Sequence, residues 1–194
     1  MNEFASLLEL LKILVTDPRT VVLFALLIVA SVSDCRTYRI PNWLTMTGAA
    51  IGIIYNSVAP LMLHNSFLWA LSGLALGFLI TLPLYALRAM GAGDVKLIAM
   101  VGAFLGAPDI FYAVLCTLIV GGVAALGFAF SQRSLGRMFG NVKNIVQVMM
   151  FSVMGGVRPD VHIDVTQSVG KLPYGVSVSI GTIGYVVAKQ LGYL

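Results

Sequence analysis

Charge is what this sequence lacks most. Lys, Arg, Asp and Glu make up 10% of its 194 residues, against roughly 25% in an ordinary globular chain. Twelve basic and eight acidic side chains cannot coat a soluble surface of this length, so a soluble domain is excluded. Cysteine is nearly absent: Cys35 and Cys116 stand far apart, with no CxxC. That excludes a disulfide-built fold and a zinc ribbon. The only histidines are His64 and His162, and neither has the partners of a Ser-His-Asp triad. The net charge of +4 arises from scarce acids rather than from a basic patch with interleaved aromatics. Nucleic acid is therefore not an expected partner. A cleavable signal peptide is not expected either, because Glu3 and Glu9 occupy the start and no A-x-A site follows the first apolar stretch.

What is present is apolar. Hydrophobic residues reach 59% and the mean hydropathy is +0.95, which excludes disorder. The composition predicts an all-α, polytopic membrane protein, a single integral-membrane unit over 1–194. Residues 3–16 carry Phe4, Leu7, Leu8, Leu11 and Leu14 on one helical stripe, predicting an amphipathic surface helix ended by Asp17-Pro18. Six spans are expected at 19–35, 43–60, 66–87, 94–106, 109–131 and 173–191. The fourth is short and is expected to start partly unwound at Gly91-Ala92-Gly93, which requires shielding by protein. Pairs at small-xxx-small spacing, Gly48/Gly52, Gly73/Gly77, Gly102/Gly106 and Ser177/Gly181, mark close-packing helix faces.

Loops after the odd-numbered spans hold Arg36, Arg39, Arg88, Lys96, Arg133, Arg137, Lys143, Arg158 and Lys171; the other side holds Lys12, Arg19 and Lys189. This asymmetry places the odd exits in the cytoplasm and the N-terminus outside. Segment 132–172 is the one long loop, cytoplasmic or interfacial. Its Met138, Phe139, Val142, Ile145, Val146, Met149 and Met150 suit a helix face on the inner leaflet.

Two carboxylates sit at span boundaries on the cytoplasmic side, Asp34 at the end of the first span and Asp94 at the start of the fourth. Acids at membrane depth are expensive and read as functional. Asp94 after a glycine turn also suits a helix N-cap. Asp34 at a helix C-terminus is poorly placed in the dipole, although an ion pair with Arg36 would hold it. Together the two are expected at one depth. Two close carboxylates share one proton, so one activates a water while the other polarises a peptide carbonyl. Gly91 and Gly93, lacking Cβ, let backbone or substrate approach Asp94. No metal or cofactor is needed. Asp160, His162 and Asp164 alternate as strand-face ligands would, but they are read as solvated polar surface.

Asp34-Cys35-Arg36, then Arg39-Ile40-Pro41-Asn42, then Gly91-Ala92-Gly93-Asp94-Val95-Lys96-Leu97 resemble the two signature stretches of the prepilin peptidases, the type IV leader peptidase family of GxGD aspartyl proteases. Leu172-Pro173-Tyr174-Gly175 is similar to a third recurring segment. The resemblance implies a GxGD-protease-like bundle with Asp34 and Asp94 catalytic and Gly91 and Gly93 as motif glycines. Lys96 and Arg36 are candidates for substrate or charge support, with membrane anchoring as their other reading. The implied reaction is removal of the leader of a pilin-like precursor at the cytoplasmic face of the bacterial inner membrane. Larger members carry a paired-CxxC segment associated with N-methylation. This chain has none, nor room for one before Asp34, and so resembles the short tight-adherence (Flp-type) branch. Two other classes fit less well. A transporter or channel would place its acids nearer the midplane and show an internal repeat. A presenilin-like intramembrane protease shares GxGD but not the small size or the IPN stretch.

Overall fold

The computed structural model describes residues 17–58, 67–87, 89–131, 140 and 173–192. Among them it is helical without strands, as the composition requires. Six helices follow in order: α1 (Pro18–Thr37), α2 (Asn42–Val58), α3 (Phe67–Ala86), α4 (Ala92–Leu105), α5 (Ala107–Ser131) and α6 (Tyr174–Gln190). Each boundary lies within two residues of the expected span, about the scatter inherent in defining helix ends. The amphipathic helix at 3–16, the loop around His64-Asn65, Arg88, the interfacial helix face at 138–150 and the Asp160–Asp164 cluster fall outside the described residues.

Punctuation in the sequence sets the helix ends. Asp17 caps α1 by accepting the Arg19 N–H at 3.2 Å and the Thr20 hydroxyl at 2.7 Å, and Pro18 occupies the first turn, where no amide is needed. Tyr38 ends α1 in the left-handed region, with φ of 50°, and its N–H returns to the Asp34 carbonyl at 2.8 Å. The α4–α5 corner is one residue, Gly106, at φ of 82°. A Cβ there would strike the Trp69 ring, so both the backbone angle and the space demand glycine.

The helices alternate in direction. Gly175 at the start of α6 bonds Asp34 near the end of α1. Lys96 in α4 bonds Asn42 at the start of α2. At the opposite end, Tyr185 and Lys189 late in α6 meet Asp109 at the start of α5. There too the Arg19 guanidinium lies 5.0 Å above the Trp69 ring, joining the starts of α1 and α3.

Of the six, α1, α3 and the 107–128 part of α5 are long and apolar enough to cross a membrane. Their outward faces are correspondingly apolar, with Ile28, Leu68, Leu79 and Ile119 exposed. By contrast, α2 and α6 have 17 residues each and α4 only 14, about 21 Å of helix against a hydrocarbon core of about 30 Å. The short helix is the central one. Every residue of α4 from Leu97 to Leu105 is buried, and it packs against α1, α2, α3, α5 and α6. It needs no lipid-matched length because its neighbours surround it. Contrary to the expectation of an unwound start, α4 is helical from Ala92, with Gly91 as its cap.

The small-residue pairs lie on the packed faces. Gly73 and Gly102 bring the α3 and α4 backbones together so closely that a Cβ on either would overlap the carbonyl of the other. Gly48 receives Met100, Gly52 receives Phe104, and Gly181 faces Thr117. Asn56, fully buried in α2, donates to its own Gly52 carbonyl at 3.0 Å and to Ala103 in α4 at 2.8 Å.

Candidate active site

The end of the bundle where α1 finishes and α4 and α6 begin holds both Asp34 and Asp94. Helix geometry puts them there. Asp34 lies one turn before the end of α1, and Asp94 in the first turn of α4. The two residues are 6% and 9% exposed. Asp34 is near enough for its charge to act on Asp94.

Each carboxylate spends one oxygen on a backbone amide. Asp94 Oδ2 accepts the Gly91 N–H at 3.2 Å, so Asp94 caps the helix from its third position, with Gly91 and not Asp94 as the N-cap residue. An acid in the first turn is also favoured by the helix dipole. Asp34 Oδ2 accepts the Gly175 N–H at 2.7 Å. Here the dipole of α1 is unfavourable, but the N-terminus of α6 presents a free amide and the positive end of its own dipole. The ion pair with Arg36 is not formed: Arg36 is exposed, and among the described residues the only ion pair joins Lys189 to Asp109. Among those residues, too, no hydrogen bond reaches Oδ1 of either aspartate. Both acids are thus oriented by backbone and retain an acceptor for water or substrate.

At both motif glycines the close neighbour is the chain itself, the first of the two expectations. A Cβ on Gly91 would lie 3.0 Å from Asp94 Oδ2, so its bareness lets the carboxylate of Asp94 fold back on its own turn. A Cβ on Gly93 would lie 3.2 Å from Ile40 Cβ. That space is filled by the α1–α2 turn and is not left open for substrate. Gly175 was not singled out from the sequence beyond its place in the Leu172–Gly175 stretch, yet it touches Asp34 directly. A Cβ there would come within 2.9 Å of Asp34 Oδ2. Lys96 Nζ donates to Asn42 Oδ1 at 2.9 Å, tying the two motif stretches together at their exposed rim.

Below the carboxylates a hydroxyl pair joins α1 to α6. Ser31 Oγ lies 2.7 Å from Ser179 Oγ, and Ser179 Oγ lies 3.0 Å from the Leu27 carbonyl and 2.9 Å from that of Gly175. These serines gave no signal in the sequence beyond being polar in apolar runs. Tyr174, half-buried beside Gly175, is also within reach of the Asp94 charge. Among the described residues no third His, Cys, Asp or Glu joins the two acids.

Two buried carboxylates at one end of a helical bundle, each fixed by one amide, have the parts for general acid–base attack of water on a carbonyl. Comparison with known proteins gives one family: the sequence model described as the Type IV leader peptidase family matches residues 21–126, more than half of the chain and including both aspartates. No curated protein and no solved structure matches.

Proposed function

The chain belongs to the type IV leader peptidase family, and from that premise we propose that it is an aspartyl endopeptidase acting through Asp34 and Asp94. Its substrate is the leader of a pilin-like precursor, cut at the cytoplasmic face of the bacterial inner membrane. The observation that carries the reading is the meeting of two buried, backbone-held acids at one end of the bundle.

The chemistry follows from sharing one proton. The ionised aspartate takes a proton from water as its oxygen attacks the scissile carbonyl. The protonated aspartate donates to that carbonyl oxygen. As the tetrahedral intermediate collapses, a proton passes to the leaving amine, and one carboxylate is again charged and the other neutral. The backbone amides of Gly91 and Gly175 orient both groups beforehand, so less reorganisation remains for the reaction.

Topology supports the cytoplasmic face. The acidic pair shares its end of the bundle with Arg36, Arg39 and Lys96, and the other end holds Arg19 and Lys189, the asymmetry of the positive-inside rule. Six crossings, with α2, α4 and α6 completing the three long apolar helices, are part of the same proposal. The absence of CxxC supports the Flp-type branch and cleavage without N-methylation.

Co-expression with a pilin-like precursor tests the reading. The mass of the precursor is expected to fall by that of its leader, with no added methyl group, and to stay unchanged with Asp34→Asn or Asp94→Asn. An intact precursor beside the inserted wild-type chain would refute it.

A further inference from the structure

We propose that Ile40 is a positioning residue of the acidic pair, a wedge whose side chain sets the separation between Asp34 and Asp94. The inference rests on the peptidase reading above and adds to it an apolar side chain that takes no part in the proton transfers.

Ile40 is buried in the turn between α1 and α2, flanked by exposed Arg39 and Asn42. Its backbone has little freedom. The Tyr38 N–H is held by the Asp34 carbonyl at 2.8 Å. The Arg39 carbonyl lies 3.0 Å from the Ser33 hydroxyl and 3.1 Å from that of Thr37. Pro41 follows and restricts the residue before it, and its own carbonyl takes the Leu44 N–H at 3.1 Å. The turn therefore presents the Ile40 side chain from a fixed base.

Two glycines close on that side chain from different helices. A Cβ on Gly93 would lie 3.2 Å from Ile40 Cβ, and a Cβ on Gly175 would lie 3.1 Å from Ile40 Cδ1. Gly93 immediately precedes Asp94. Gly175 donates its amide to Asp34. The order along this stack is thus Asp34, Gly175, Ile40, Gly93, Asp94, with no room for a Cβ at either glycine. In a close-packed stack of this kind the size of the middle member is transmitted to both ends.

Separation matters because the active form holds one proton between two acids. Closer carboxylates repel more when both are charged, so the two titration steps of the pair move apart and the singly protonated window widens; separated carboxylates do the reverse. Among the described residues the other ionisable groups at this end are Tyr174 from α6, Lys96 from α4, which is engaged with Asn42, Tyr85 near the end of α3, and the exposed Cys35, Arg36, Tyr38 and Arg39 from the α1 end. The atoms nearest a Cβ built on Gly93 or Gly175 belong to Ile40 and Asp34.

The test compares wild type with Ile40→Val and Ile40→Phe on a pilin-like precursor across pH, using membrane-inserted full-length chain. Ile40→Val keeps the Cβ branch facing Gly93 and removes only Cδ1, so it folds and decides the question alone. Its kcat is expected to fall about tenfold with KM changed by less than about twofold, as for a displaced reacting group, and the limbs of its pH–rate profile are expected to separate. Ile40→Phe is expected to bring the limbs together. An unchanged kcat and profile in Ile40→Val, a loss confined to KM, or limbs moving the same way in both variants would overturn the wedge. A wild-type chain that does not cleave, or one whose cleavage survives Asp34→Asn, would instead overturn the peptidase reading itself.

Discussion

At the residue scale, the two aspartates illustrate how much a backbone amide can do in an apolar setting. Neither has an arginine or lysine partner among the described residues, and each is oriented by one N–H. Asp34→Asn and Asp94→Asn preserve shape and burial, so both variants are expected to insert normally while cleavage drops by about 10³-fold or more. Quantifying uncleaved precursor against the amount of inserted enzyme checks this. A shared proton also dictates a bell-shaped dependence of rate on pH. At the acid limb both groups are protonated and no base remains; at the alkaline limb both are ionised and no acid remains. Initial rates measured over a pH series should show two limbs, and a single limb would argue for one functional carboxylate. Gly175→Ala places a methyl within 2.9 Å of Asp34 Oδ2. It is expected to reduce cleavage strongly at a stability cost of about 1–3 kcal/mol, separable by assaying activity and thermal unfolding on the same preparation. Of these residues the sequence made Asp34, Asp94, Gly91 and Gly93 visible through their motif. It did not make Gly175 or Ser179 visible as neighbours of α1. A hydrogen bond between residues 141 positions apart leaves no periodic trace in one chain, and a serine in an apolar run looks the same whether it faces a partner or its own helix.

Between elements, the decisive contact is that of α3 with α4, where Gly73 and Gly102 let two backbones touch. Gly73→Ala is expected to destabilise the detergent-solubilised protein by about 1–3 kcal/mol, the cost of overpacking a filled interface. Gly122→Ala on α5, where a Cβ meets nothing within 4 Å, should be neutral. Melting curves of the two variants side by side check the contrast. Helix positions were legible because Pro18, Pro41, Gly91 and Pro173 punctuate long apolar runs. The start of α4 was not. A GAG stretch reads as unwound, whereas the Asp94 side chain supplies the missing cap and extends the helix back to Ala92. At Gly93 the sequence left backbone and substrate both open for a related reason. A missing Cβ signals that something comes close, but not whether it is substrate or, as here, another part of the same chain.

For the whole molecule, alternation of helix direction sorts the ionisable groups onto two ends. Asp34, Arg36, Arg39 and Lys96 gather at one, and Arg19, Asp109 and Lys189 at the other. Cys35, exposed beside Asp34, offers a direct test of orientation. In a chain with Cys116→Ser, a membrane-impermeant thiol reagent is expected to label Cys35 in inverted vesicles and not in spheroplasts; the reverse result would place the acidic pair outside. The ion pair of Lys189 with Asp109 is partly solvated, so Lys189→Met should cost less than about 1 kcal/mol and leave cleavage intact. Charge asymmetry and composition announced this global arrangement. They were silent on which helix lies in the middle, because a helix 14 residues long looks marginal until its neighbours are seen.

That central placement has a consequence for how the protein meets membranes of different make-up. The helix bearing Asp94 is sheathed from Leu97 to Leu105 by other helices, so acyl tails grip the outer helices and not the one that carries the acid. Thickening or thinning the bilayer should tilt the jacket before it disturbs the seat of the carboxylate. Reconstituted into vesicles of progressively longer acyl chains, the protein should hold a nearly constant turnover number until the jacket itself gives way.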